Sequence, residues 1–291
     1  MAEISAKLVA DLRAKTGAGM MDCKKALVAT EGDFDKAVDW LREKGLAAAA
    51  KKAGRVASEG RVYATVRDGN KLGAMVEINC ETDFVARNEG FVAICAEVNE
   101  SIIEQNPTDM DALQGLVGGT ITAAISRIGE NLNVRRFARY EVGAAGRVHA
   151  YIHGDGRVGV LIEIETASPA AADSDAVKSL CQELALQIAS MKARYVTRAE
   201  VSADEIEHER EILRAQAINE GKKPEIAEKM VAGRIEKFYK EFCLVDQAWV
   251  KDDSKNIAAV VKEAGAAAGG AITVKRFVRW EKGEGIEKRA D

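Results

Sequence analysis

Gly60-Arg61-Val62-Tyr63-Ala64-Thr65-Val66-Arg67-Asp68-Gly69-Asn70-Lys71-Leu72-Gly73-Ala74-Met75-Val76-Glu77-Ile78-Asn79-Cys80-Glu81 recurs, with changes, as Gly146-Arg147-Val148-His149-Ala150-Tyr151-Ile152-His153-Gly154-Asp155-Gly156-Arg157-Val158-Gly159-Val160-Leu161-Ile162-Glu163-Ile164-Glu165-Thr166-Ala167. Each residue of the first stretch pairs, without a gap, with the one 86 positions later, and Gly60/Gly146, Arg61/Arg147, Val62/Val148, Ala64/Ala150, Gly73/Gly159, Glu77/Glu163 and Ile78/Ile164 are identical. Self-similarity of this kind marks a duplicated structural unit. In the first copy Val62, Ala64, Val66 and Leu72, Ala74, Val76, Ile78 alternate on either side of Asp68-Gly69-Asn70, and the second copy places Gly154-Asp155-Gly156 at its turn. Alternation of period two around such a turn predicts an antiparallel hairpin in each copy. Where the copies agree, a residue serves the scaffold; where they differ, one copy is released for another task. After the hairpin the first copy reads Thr82-Asp83-Phe84-Val85-Ala86-Arg87-Asn88 and the second Ser168-Pro169-Ala170-Ala171-Ala172-Asp173-Ser174, so the scaffold does not need a phenylalanine there.

Outward from the hairpins, Asn88 and Ser174 occupy equivalent helix N-cap positions, and the helices they open share Cys95/Cys181, Glu97/Glu183 and Ile102/Ile188, the cysteines reading as packed core thiols. A last strand recurs at a longer spacing, Val134-Arg135-Arg136-Phe137-Ala138-Arg139-Tyr140-Glu141 against Val274-Lys275-Arg276-Phe277-Val278-Arg279-Trp280-Glu281. The second copy is therefore interrupted. The interruption reads as two helices, one entered by Ala203-Asp204-Glu205 and one started by Pro224 and running through Lys240, turned at Glu220-Gly221 into an antiparallel hairpin. Its apolar seam, Ile206, Ile212, Leu213, Ile226, Met230, Ile235 and Phe238, packs between its own two helices or forms a dimer face. At the N-terminus, Ile4, Leu8 and Leu12, then Met20, Lys24 and Leu27, then Phe34, Ala37, Val38 and Leu41 follow helical spacing. Gly17 and Gly19 separate the first helix from the second, Asp33 caps the third, and Gly45 closes it. The Ala/Lys-rich stretch from Leu46 to Ser58 is compatible with helix but has little apolar patterning, and it reads as a linker.

These elements predict an α+β fold. A three-helix module spans 1–45 and a linker 46–58; the first core repeat spans 59–144 and the second 145–191 and 251–285, around a helical-hairpin insertion at 192–250. Both core repeats are antiparallel sheets with helices.

At 291 residues, with 47% hydrophobic and 30% charged, the chain has the balance of a globular protein of two or three domains. A net charge of -4 argues against nucleic acid or an anionic membrane as the main partner, since phosphate binding needs a clustered positive surface. The cysteines, Cys23, Cys80, Cys95, Cys181 and Cys243, are odd in number and lack a CxxC pair, which suggests neither a disulfide framework nor a zinc site. Met1-Ala2-Glu3-Ile4-Ser5 does not look like a signal peptide, and no stretch approaches the ~18 apolar residues of a membrane span. A soluble, cytoplasmic protein is expected. No phosphate-binding glycine loop or His-Glu-x-x-His helix is present, and His149, His153 and His208 lack Cys or Asp at ligand or triad spacing. No cofactor or metal is expected, and an enzyme is the weaker hypothesis beside a protein-binding one.

Several segments resemble the bacterial elongation factor Ts family. Thr16-Gly17-Ala18-Gly19-Met20-Met21-Asp22-Cys23-Lys24-Lys25-Ala26-Leu27 is similar to its N-terminal signature, and Glu77-Ile78-Asn79-Cys80-Glu81-Thr82-Asp83-Phe84-Val85-Ala86 to its second. Ile128-Gly129-Glu130-Asn131, Lys222 to Gly233, and Gly283-Glu284-Gly285-Ile286-Glu287-Lys288 match in the same order. The resemblance implies a guanine-nucleotide exchange factor that binds elongation factor Tu carrying GDP and speeds GDP release in translation. By carry-over, Thr82, Asp83, Phe84 and Val85 would dislodge the partner's Mg²⁺, with Asp83 and Phe84 as the intruding pair. His153 and, on the N-terminal module, Gly19, Met20, Met21 and Lys24 would touch the same partner. The module would have a ubiquitin-associated-like fold, and the helical hairpin would be a coiled-coil or homodimer element. Some relatives continue into another helix where this sequence has only Arg289, Ala290 and Asp291, which leaves open a contact made by that extension. Read without the resemblance, Phe84 is a core or staple residue, Asp83 an N-cap and His153 an exposed turn residue. Met20 and Met21 read as one core and one contact residue, since neighbours on a helix point apart. An adaptor or dimeric scaffold without exchange activity is the alternative function.

Overall fold

Three helices, α1 (Ala6–Thr16), α2 (Met20–Ala29) and α3 (Phe34–Lys52), open the computed structural model, which describes residues 4–16 and 18–287. The first repeat follows as β1 (Glu59–Arg67), β2 (Leu72–Cys80), the short α4 (Asp83–Arg87), α5 (Glu89–Gln105), α6 (Met110–Ile128) and β3 (Asn133–Glu141). The second begins with β4 (Gly146–His153), β5 (Val158–Thr166), the short α7 (Pro169–Ala172) and α8 (Asp175–Met191). After α9 (Ala203–Asn219), α10 (Pro224–Phe242) and the small ribbon of β6 (Ala248–Trp249) and β7 (Asp252–Asn256), it resumes with α11 (Ile257–Ala268) and β8 (Ile272–Glu281). Gly17, expected to help break α1 from α2, lies outside the described residues, as do Met1 to Glu3 and Lys288 to Asp291.

Each repeat forms one three-stranded antiparallel sheet, β1-β2-β3 and β4-β5-β8, so the α+β class expected from the sequence is what the structure shows. One face of the first sheet, through Ala74, Val76, Ile78 and Cys80, packs on Phe91, Cys95, Val98 and Ile102 of α5 and on α6. The second does the same with Val160, Ile162 and Ile164 against α8 and α11. Asn88 and Ser174 cap α5 and α8 by accepting from Gly90 N and Val177 N. Cys95 and Cys181 are fully buried, and burial pushes both thiols up to about 12.

The other faces of the two sheets meet, and here the repeated identities find their cause. The shared cluster consists of matched pairs, Val62 with Val148, Met75 with Leu161 and Tyr140 with Trp280, one member from each copy. Gly73 and Gly159 let the sheets close: a Cβ on Gly73 would stand 2.6 Å from Val148 Cγ1, and one on Gly159 2.4 Å from Val62 Cγ1. The guanidinium of Arg276 lies 4.1 Å from the Tyr140 ring centre and that of Arg136 4.9 Å from the Trp280 ring centre. Each arginine is held by its own copy's repeated glutamate, Arg136 Nε donating to Glu77 and Arg276 Nε to Glu163, both at 2.6 Å. At the rim, Val62 N donates to Gly156 O at 2.8 Å while Val148 N donates to Asn70 O at 2.7 Å. The halves thus pack about a pseudo-twofold axis, each hairpin turn tied to the first strand of the other copy.

Three local expectations need correction. Gly45 does not close the third helix, and the stretch after Leu46 begins as helix: α3 continues to Lys52. Ala and Lys favour helix, and the buried Gly45 gives close approach to α6, where its Cβ would meet Thr122 Cγ2 at 3.7 Å. Met20 and Met21 are both exposed; the inward face of α2 is Cys23, Ala26 and Leu27. In the helical hairpin, Ile206, Leu213, Ile235 and Phe238 are buried as expected, joined by Ala217, Ala227 and Val231, but Ile212 and Ile226 are exposed. Each sits one residue, about 100° of helix, from a buried neighbour and cannot share its face. Among the described residues no helix is long and apolar enough to cross a membrane.

Candidate functional site

The turn after β2 is built as a small helix on a fixed base. Thr82, not Asp83, is the N-cap of α4, its hydroxyl accepting from Val85 N at 3.4 Å. Asp83 therefore occupies the first helical position, where its carboxylate suits the helix dipole and faces Arg87 Nη2 at 3.3 Å. Val85 is half-buried against the first core, and Ala86 is buried. Phe84 points away from both with 84% of its surface exposed, the most open large apolar residue among those described. The core or staple reading of Phe84 is thereby overturned.

The pseudo-symmetric twin shows what the scaffold alone requires. In α7, Ser168 is the N-cap, accepting from Ala171 N, Pro169 stands for Asp83, and Ala170 for Phe84. Arg61 Nη1 reaches Ala86 O at 3.5 Å, and Arg147 Nη1 reaches Ala172 O at 3.4 Å. Both copies thus keep a short capped helix pinned by the repeated arginine. Only the first puts an aromatic ring and a carboxylate on it.

Arg61 also reaches the turn of the second hairpin. Its side chain lies against Gly156, whose Cβ would fall 2.1 Å from Arg61 Cγ, in the Gly154–Gly156 turn that directly follows His153. One arginine therefore spans from α4 to the tip of the second hairpin. His153 is exposed there, its Nδ1 2.9 Å from the Tyr151 hydroxyl. His149, by contrast, is half-buried beside Gln182, and burial lowers its basicity.

Gly19, Met20, Met21 and Lys24 are not part of this cluster. They are exposed at the start of α2, which packs against α1 and α3. Met21, Lys24 and the exposed Val28 share one helix face. Val28 was not singled out from the sequence, although its spacing of seven from Met21 signals the shared face. Arg61 was visible only as a repeated residue, since its bridging position depends on how the copies pack.

A family model described as "Elongation factor TS" matches residues 81–284. A protein of Symbiobacterium thermophilum named elongation factor Ts is 68% identical over 291 residues, covering 100% of this chain and 96% of that one. Proteins of the same name from Clostridium botulinum (strain Alaska E43) and Clostridium perfringens (strain ATCC 13124) are each 50% identical, covering 98% and 99% of this chain and 95% and 96% of their own lengths. With the turn carrying Phe84 inside the region that the family model matches and both repeats covered by the full-length relatives, the chain belongs to the elongation factor Ts family of translation elongation factors.

Proposed function

We propose that this chain is a guanine-nucleotide exchange factor for elongation factor Tu, acting by binding and not by bond chemistry. The observation that carries the reading is Phe84: an aromatic ring 84% exposed on a capped, pinned turn, in the copy whose twin holds alanine. Exchange requires a protein that binds the nucleotide-free GTPase more tightly than the GDP-bound one. By linkage, the factor by which it weakens GDP is the factor by which GDP weakens it. GDP in such a GTPase is held partly through Mg²⁺, which demands near-octahedral geometry at about 2.1 Å, so a small displacement of its surroundings is costly. A ring that buries about 150 to 250 Å² on docking offsets the distortion it imposes. In this reading Phe84 is the wedge, Asp83 competes for groups beside the metal and phosphate, and Thr82 and Val85 hold the pair in place. His153 touches the same partner from the neighbouring turn. Met20, Met21 and Lys24, with Gly19 at the N-cap of α2, make a second contact.

Phe84→Ala is expected to slow release of labelled GDP from loaded elongation factor Tu by at least about tenfold, as for a central hot-spot residue. Its unfolding midpoint in urea should stay within error of the parent, because the ring touches little of its own chain. Asp83→Ala should also slow release with little change in stability, since the exposed pair with Arg87 is worth only about 0.3–0.5 kcal/mol. Normal release by both variants removes the site assignment.

A further inference from the structure

We propose that Glu130 is the positioning residue of the Phe84 turn, acting through Thr82 to set the angle at which the ring leaves the surface. Glu130 lies just beyond Gly129, the C-cap of α6, where φ is +89° and the chain reverses. From there its carboxylate reaches the start of α4. Oε2 accepts from both Glu81 N and Thr82 N at 3.0 Å, and Oε1 accepts from the Thr82 hydroxyl at 2.6 Å. That hydroxyl in turn accepts from Val85 N, so one carboxylate holds the N-cap, and the N-cap holds the first turn that carries Asp83 and Phe84. The clasp is returned: Glu81 Oε1 accepts from Asn131 N at 2.6 Å, and Asn131 Nδ2 donates to Arg55 O at 2.8 Å. The end of α6 and the end of β2 are thereby locked together on both sides of the turn.

The twin again supplies the control. Gly129 corresponds to Gly269, which is likewise a left-handed C-cap, so the position matching Glu130 is Gly270. Gly270 has no carboxylate; its Cβ position is taken by Ala167, 2.3 Å away. The second copy thus forms its short helix without any such clamp. The clamp is found in the copy that carries the exposed ring, and charge-assisted bonds to backbone N–H groups are the strong kind.

The inference rests on the exchange reading above, and its test separates the two. Release of labelled GDP from elongation factor Tu is followed against concentration of the full chain for the parent, Glu130→Ala, Phe84→Ala and the double variant, with circular dichroism to check folding. Glu130→Ala is expected to lower the limiting release rate about tenfold while the half-saturating concentration changes much less, since a misaimed wedge still docks. The double variant is expected to be no slower than Phe84→Ala beyond about twofold, because Glu130 acts through that ring. Independent, multiplying losses show a general structural role and overturn the proposal. A parent-like rate for Glu130→Ala beside a slow Phe84→Ala overturns it and leaves the exchange site standing. Parent-like release by Phe84→Ala removes both. Should Glu130→Ala fail to fold, Glu130→Gln, which keeps one acceptor oxygen, carries the same cycle.

Discussion

Gly159→Ala is expected to destabilise the protein by about 3 kcal/mol, at the upper end of what overpacking a core by one methyl group costs. The backbone at this position is ordinary extended strand, so the effect is one of space. The new Cβ falls 2.4 Å from Val62 Cγ1 and 2.8 Å from Met75 Sδ, in the layer where the two sheets meet. Neither neighbour yields easily: both are fully buried, and Val62 is β-branched on a strand whose edge is tied to the Gly154–Gly156 turn. The opposing trend, that alanine restricts the unfolded chain and usually stabilises by about 0.4–1 kcal/mol, is too small to reverse the sign. Urea unfolding checks this, and a second variant identifies the cause. Gly159→Ala with Val62→Ala should recover part of the loss, because the clash partner has gone. Additive losses would show that the two residues do not press on each other across the sheets.

Glu77→Ala is the second large effect, with a loss of about 3 kcal/mol from removing a fully buried carboxylate and leaving its donors without an acceptor. Its oxygens accept from Arg135 Nη1 at 3.1 Å, Arg136 Nε at 2.6 Å, Asn79 Nδ2 at 3.0 Å and Gly283 N at 2.8 Å. Removal therefore takes the Nε partner from the arginine that stacks on Trp280, leaving it only the longer contacts to Glu281 O and Glu284, and takes the acceptor from Gly283 N, where φ is +68° and Ser58 O closes off any side chain. Glu163, the repeated partner, is partly exposed and is paired with Arg276 alone among the bonds described for it. Glu163→Ala should accordingly cost about 1 kcal/mol, nearer the value of an ordinary hydrogen bond. Equal losses at the two positions would mean that the added contacts of Glu77 contribute nothing.

These two residues also show what the sequence makes legible. Gly73/Gly159 and Glu77/Glu163 stand out as identities between copies, and that alone marks them as scaffold. Their reason is not written in either copy: it lies in which face of each hairpin meets the other, a contact between residues far apart in sequence. Gly45 misleads in the opposite way. Glycine commonly ends a helix by taking a left-handed conformation, but here it stays helical and buried because α6 comes close. Ile212 and Ile226 look like seam residues because they are apolar, yet helical phase sends them outward while Leu213 and Ala227 go in. At the candidate site, Phe84 is legible because its twin is Ala170, a comparison that needs no structure. Glu130 can be read only as part of a matching segment. Its reach across to Thr82 depends on the packing of α6 beside β2, and no local pattern encodes that.

The most direct test of the exchange reading is the off-rate of labelled GDP from elongation factor Tu, followed with excess unlabelled nucleotide as the full chain is added. A release rate that climbs with concentration and saturates is expected, since the chain lowers nucleotide affinity while bound. Stable binding to the GTPase with an unchanged GDP off-rate at every concentration would contradict it and leave a binding protein without exchange activity.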